Sequence, residues 1–146
     1  MKIEIINGPN LNLLGVREPE IYGKSTLKEI ERKVVEALSD IEVELQFWQT
    51  NSEGEIINLL HSAKFEREAT GIILNAGAYS HYSIAIADAI SSINIPVIEI
   101  HLTNTLSREI FRHSSVIGKV CKGRIEGFGW FGYVLAALCL TRNEND

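Results

Sequence analysis

Glu99 and His101 stand two residues apart in a strand-like run, a spacing that sets both side chains on one face of a strand. A carboxylate so placed can hold one imidazole nitrogen and make a proton-donating imidazolium accessible. The same pair would also serve as a partly buried histidine with a satisfied hydrogen bond. Arg108 and Arg112, spaced i, i+4, would share a face of a short helix over residues 108–112. Thr103 and Asn104 precede them, where free backbone amides favour an anion. That group suggests a carboxylate or phosphate pocket, with two arginines on a solvated face as the alternative. Asn7-Gly8-Pro9-Asn10 and Asn75-Ala76-Gly77-Ala78-Tyr79-Ser80-His81 add amides, hydroxyls and a second imidazole. Asn and Gly are ordinary turn residues, but the same bias follows three separate strand-like runs.

Strand-like and helix-like segments alternate along all 146 residues, and they must position these groups. Strands are expected at 2–6, 43–47, 71–74 and 96–102, with a fifth between 116 and 126. Helical periodicity follows the capping-box sequences at Thr26–Glu29 and Ser52–Glu55 and recurs over 83–93 and 133–140. The alternation predicts one α/β domain over 1–146, a flavodoxin-like three-layer sandwich with a five-stranded parallel sheet of order 2-1-3-4-5. In that topology a ligand sits beyond the carboxyl ends of the strands, where the polar loops fall. The segment 11–24 is long for a strand-to-helix connection. Carrying Arg17 and Tyr22 between Gly15 and Gly23, it reads as a mobile lid or as an ordinary irregular loop.

Composition narrows the function. With 45% hydrophobic and 23% charged residues the chain can build a core. A net charge of −5, without a basic stripe, argues against nucleic-acid and anionic-membrane partners. The longest apolar stretch, 128–140, is too short to span a bilayer and contains glycines. Met1-Lys2-Ile3-Glu4 opens into a strand without a signal-peptide core, so a cytoplasmic location is expected. Cys121, expected in a strand, and Cys139, expected in a helix, read as buried thiols of a reducing compartment. Gly127-Phe128-Gly129-Trp130-Phe131-Gly132 matches a dinucleotide fingerprint literally. Such a site also needs a following strand with an acidic residue about 20 positions on, for which too little chain follows. Bulky Trp130 and Phe131 crowd the turn, so tight helix–sheet packing is the better reading. His61, His81, His101 and His113 show no metal-ligand spacing, and neither a P-loop nor a nucleophile elbow is present.

Asn7-Gly8-Pro9-Asn10-Leu11-Asn12-Leu13-Leu14-Gly15, with Arg17, Pro19, Tyr22 and Gly23, resembles the amino-terminal signature of the type II 3-dehydroquinases. The 75–81 block with Ser83 and Asp88, the 99–104 block with Arg108 and Arg112, and the 127–133 block resemble the rest of that family's pattern in order. The resemblance implies a cofactor-free lyase of the shikimate pathway, which removes water from 3-dehydroquinate by anti elimination through an enolate. It implies Tyr22 as base, Arg17 as its charge partner, Asn10 at the developing enolate and His101, oriented by Glu99, as acid. Asn75, His81 and Arg112 would bind the ring hydroxyls of the substrate and the backbone at Leu102 and Thr103 its carboxylate, with Gly77 and Arg108 also among the substrate-binding residues. Asp88 would complete a neighbouring subunit's site in a dodecamer of trimers. Thr103 stands where the family usually has Ser, Ala76 replaces a common Pro, and Thr50 interrupts a Gln-Ser-Asn pattern. A flavodoxin-like module that binds an anionic small molecule without chemistry, and a different lyase or hydrolase on the same scaffold, are the other two readings.

Overall fold

The computed structural model describes residues 1–142; residues 143–146 of the expected domain lie outside the described residues. Five parallel strands form one sheet in the order β2-β1-β3-β4-β5: β1 (Lys2–Asn7), β2 (Glu44–Gln49), β3 (Gly71–Asn75), β4 (Val97–His101) and β5 (Gly123–Glu126). Each crossover carries an α-helix or a longer loop. The helices are the one-turn α1 (Pro19–Tyr22), then α2 (Leu27–Ala37), α3 (Glu53–Phe65), α4 (Ile84–Ile93) and α5 (Phe131–Thr141).

The period of two along the strands divides the core between two faces. Ile3, Ile5, Ile73 and Ile100 meet Val34 of α2 and Ala136, Ala137 and Leu140 of α5. Ile6, Ile72 and Leu74 meet Ile56 and Leu60 of α3 and Ile86, Ile90 and Ile93 of α4. The predicted three-layer architecture and strand order are therefore those observed. One charge lies in the second layer: Glu4 is fully buried, and Arg67 meets its carboxylate from Nε at 2.6 Å and Nη2 at 2.7 Å. Buried charges require such pairing.

Thr26 and Glu29 form a complete capping box. Ser52 makes only half of one: its side chain accepts from the Glu55 N–H, while the Glu55 carboxylate accepts from Thr50 Oγ1 at 2.5 Å. The segment 11–24 is not irregular throughout, since a 3-10 turn at Leu11–Leu13 precedes α1. The predicted helix over 108–112 is absent. Two separate 3-10 turns, Thr105–Ser107 and Ile110–Arg112, flank an Arg108 whose backbone is extended. The reason is local: Asn104 Oδ1 accepts from the Leu106 N–H and caps the first turn on its own.

The expectation of two buried thiols also needs correction. Cys121 precedes β5 and is half-buried, and Cys139 is exposed on α5. Nor do the glycines at 127–132 serve tight helix–sheet packing. A Cβ at Gly132 would meet Ile125 at an ordinary 3.8 Å. Gly127 and Gly129 instead adopt φ of 91° and 54°, which lets their N–H groups bond the carbonyls of His101 and Leu102. This chain reversal pins the end of β4, where the polar groups gather.

Candidate active site

Beyond the carboxyl ends of β1, β3 and β4 lies a cavity of about 80 Å³. The residues that the family resemblance assigns to the site all line it except Glu99 and Asp88, and Asn104 borders an adjoining groove instead. Glu99 sits behind it, fully buried on β4, with its Oε1 2.6 Å from His101 Nε2. A carboxylate only accepts, so Nε2 carries the proton and Nδ1 is left to serve the cavity that the ring lines. Ser115 Oγ lies 2.9 and 2.8 Å from the two Glu99 oxygens and provides the carboxylate with a second partner.

His81 has the opposite character. Burial holds its pKa below the ordinary imidazole value, against the opposing hydrogen bond to Ser114 and with the charges at His101, Arg112 and Arg124 adding to the depression. Its Nδ1 lies 2.8 Å from the Ser114 carbonyl. Neutral His81 therefore donates from Nδ1 and offers Nε2 as an acceptor for a ligand hydroxyl. The two rings stack with centroids 6.1 Å apart and planes 14° from parallel.

Asn75 ends β3. Its Oδ1 accepts from the Gly77 N–H at 3.3 Å, and its Nδ2 donates to Tyr133 Oη at 3.3 Å. Tyr133, buried on α5, donates in turn to Asn7 Oδ1 at 2.5 Å, and burial pushes its phenol well above the ordinary value. This network fixes the Asn75 amide with one N–H left for the cavity. Gly77 turns with φ of 59°, and a Cβ there would come within 3.2 Å of the Pro9 carbonyl. The β1 and β3 loops meet closely at that point.

Asn10 sits in the left-handed region at φ 68°, which Asn tolerates. Its N–H donates to Asn51 Oδ1 at 3.0 Å, and Gln49 Nε2 donates to the same oxygen at 3.1 Å. The Gln49-Thr50-Asn51 run after β2 thus holds the Asn10 loop in place.

Tyr22 closes the far wall. Arg17 Nη2 donates to its hydroxyl at 3.4 Å, with the guanidinium carbon 4.7 Å from the ring centroid. The Arg108 guanidinium lies 5.1 Å from that centroid and donates to Thr103 Oγ1 at 3.4 Å. Tyr22, Leu102, Thr103 and Arg108 also border an adjoining groove of about 810 Å³, so they form a wall between cavity and groove. Arg108 and Arg112 reach the cavity together although they share no helix. Glu109 bonds Arg112 Nε at 2.7 Å and lies 3.8 Å from Arg108 Nε. Leu102 and Thr103 supply backbone at the end of β4.

Asp88 does not belong to this cavity. It is exposed on α4, where Ile86, Ala87, Ile90 and Ile93 are buried and Ile84 is exposed. The sequence reading missed Thr105, which lines the cavity, together with Ser115 and Tyr133 behind it. The Ser115 and Tyr133 contacts span 16 and 58 residues, and no local spacing rule detects them. For Asn51 a signal existed in the Gln-x-Asn run.

The arrangement brings a phenol with two guanidinium groups against its ring, an imidazole backed by a carboxylate, and the Asn10 and Asn75 amides to one cavity. Such a site can remove one proton and deliver another. Residues 1–141 match the family model described as dehydroquinase class II. The chain is 52% identical over 143 residues to the 3-dehydroquinate dehydratase of Clostridium perfringens (strain 13 / Type A), which covers 98% of this chain and 97% of that protein. It is 50% identical over 143 residues to the 3-dehydroquinate dehydratase of Jannaschia sp. (strain CCS1), covering 98% and 95%. Among solved structures, the type II dehydroquinase from Butyrivibrio crossotus DSM 2876 superposes with a TM-score of 0.93 at 44% identity, over 97% of this chain and 98% of that one.

Proposed function

Because this chain belongs to the class II dehydroquinase family, we propose that its cavity dehydrates 3-dehydroquinate to 3-dehydroshikimate, with Tyr22 as base and His101 as acid. The chain is a hydro-lyase, and the division of labour within its site is our reading of the geometry. The observation that carries it is that Tyr22, with Arg17 and Arg108 against its ring, and His101, backed by Glu99, line one cavity.

The ionised Tyr22 takes the proton from the carbon beside the ketone, and the electron pair moves onto the ketone oxygen as an enolate. Asn10 stabilises the charge that develops there, directly or through a water. The enolate then collapses and expels the hydroxyl from the next carbon as His101 Nδ1 protonates it, so one water leaves and a conjugated enone remains. Proton removal from the Tyr22 side and delivery from the sheet side suit an anti elimination. Asn75, the neutral His81 and Arg112 hold the ring hydroxyls. The backbone at Leu102 and Thr103, with Gly77 and Arg108 nearby, holds the carboxylate end. The segment carrying Arg17 and Tyr22 is the lid: it must part from Arg108 to admit substrate from the groove and then close to exclude water. No cofactor enters this scheme.

Mixing the protein with 3-dehydroquinate and following the enone absorbance tests the proposal. We expect steady turnover in buffer without added cofactor. Saturable binding without a rise in absorbance would instead identify a non-catalytic module for an anionic small molecule.

We also place the enzyme in the cytoplasm as a homo-oligomer, a dodecamer of trimers, in which Asp88 reaches a neighbour's cavity. Among the described residues no helix is long and apolar enough to cross a membrane, and the net charge of −5 disfavours nucleic acid. Exposed Ile84, four residues before Asp88 on α4, and exposed Tyr82, Ile110 and Phe111 support a subunit boundary. Sedimentation should report a mass far above 16.3 kDa. Mixed assemblies of Asp88→Ala and Tyr22→Phe chains should recover some activity, because some sites receive both intact residues. A fully active monomer would exclude shared sites.

A further inference from the structure

We propose that Arg124 and Glu126, on the strand beside the acid pair, are positioning residues that set how readily His101 releases its proton. The inference rests on His101 being the proton donor.

The parallel register of β4 and β5 aligns Glu99 with Arg124 and His101 with Glu126. Neighbouring strands thereby set a cation next to the carboxylate and a carboxylate next to the imidazole. Arg124 Nη2 donates to Glu126 Oε2 at 2.8 Å and to Thr105 Oγ1 at 2.7 Å. Thr105 Oγ1, a wall of the cavity, donates to Glu126 Oε2 at 2.6 Å. Arg124 Nε lies 4.0 Å from Glu99 Oε1, the oxygen that binds His101 Nε2. That distance is within ion-pair reach but too long for a hydrogen bond. Nε is buried and has no hydrogen-bond partner among the described residues. Arg124 thus spans two carboxylates and is fully committed to only one.

Other groups also surround the pair, and Arg124 differs from them in lying on the neighbouring strand in register with Glu99. Ser115 brings a neutral hydroxyl to Glu99, and His81, stacked on His101, is held below the ordinary imidazole pKa chiefly by burial. Burial, with the Glu99 charge adding to it, pushes the Cys121 thiol up to about 12, so it carries no charge. Arg112, Arg108, Arg17 and Tyr22 face the pair from the cavity side. Although burial opposes it, the Thr105 hydrogen bond and the Arg124 charge hold the Glu126 carboxyl below its usual range. Glu126 is therefore an anion beside His101 at neutral pH.

The balance of these charges gives opposite signs for two substitutions. Arg124→Met leaves two carboxylates unopposed, so the imidazolium holds its proton more tightly. Glu126→Gln leaves the cation unopposed, so the proton is held less tightly. Residues that merely brace Thr105 would show no such reversal.

The experiment follows the alkaline limb of the elimination rate and, separately, the His101 ring titration by nitrogen NMR. Both are read in the native protein, Arg124→Met, Arg124→Lys and the near-isosteric Glu126→Gln. The inference expects both midpoints to rise by roughly half a unit or more in Arg124→Met, with a several-fold lower plateau, and to fall in Glu126→Gln. Arg124→Lys, which keeps the charge, should stay near the native midpoint. If both midpoints stay at the native value in all of the folded variants, the inference is overturned and the acid role of His101 stands. Ring titrations that move while the kinetic limb does not would overturn His101 as the acid, and with it the inference.

Discussion

Tyr22→Phe is expected to lower turnover by on the order of 10²-fold or more while leaving product binding close to native. The substitution removes one oxygen and keeps the ring on which both guanidinium groups lie, at 4.7 and 5.1 Å. What it removes is the proton acceptor. A free tyrosine, with a pKa of about 10, costs roughly 4 kcal/mol to ionise at neutral pH. Arg17 and Arg108 set two positive charges against that ring, where an opposite charge interacts with an anion. Arg17→Ala should therefore be severely impaired as well, although the phenol is still present. Steady-state kinetics paired with product-binding calorimetry separates the two properties. Near-native turnover in Tyr22→Phe would remove the tyrosine from the chemistry.

His101→Ala should reduce elimination by roughly 10²- to 10⁴-fold, the range of a positioned general acid, with substrate affinity changed far less. Asn75, His81 and Arg112 keep their own supports, since Tyr133, the Ser114 carbonyl and Glu109 hold them independently of His101. The leaving hydroxyl loses its proton donor, and the buried Glu99 loses the imidazole that hydrogen-bonds it. Glu99→Gln should lower turnover in the same direction, because a neutral amide stabilises the imidazolium less. If His101→Ala mainly weakened binding while turnover at saturation stayed near native, the residue would belong to substrate recognition.

Much of this was legible in the sequence because it depends on short-range periodicity. The alternation in Val43, Leu45 and Phe47, and the helical stripe at Ile30 and Val34, encode the faces of strand and helix directly. The Glu99–His101 pair was readable for the same reason. The fifth strand, Gly123–Glu126, falls within the expected 116–126 window, and Val116 and Ile117 ahead of it pack into the α3–α4 layer. The same logic failed where a loop imitates an element. Arg108 and Arg112 converge through two tight turns instead of a helix repeat. The supports of the acid pair were illegible altogether. Ser115 reaches Glu99 across 16 residues and Arg124 reaches Thr105 across 19, through tertiary contacts that only the folded sheet creates.

Solvent exchange of the substrate's acidic proton tests the separation of base from acid most directly. The substrate, 3-dehydroquinate, is incubated in deuterated water with His101→Ala and with Tyr22→Phe, and deuterium uptake beside the ketone is compared with enone formation. The scheme predicts that His101→Ala still exchanges the proton while elimination stalls, and that Tyr22→Phe loses both. Exchange and elimination falling together in His101→Ala, or native exchange in Tyr22→Phe, would contradict it.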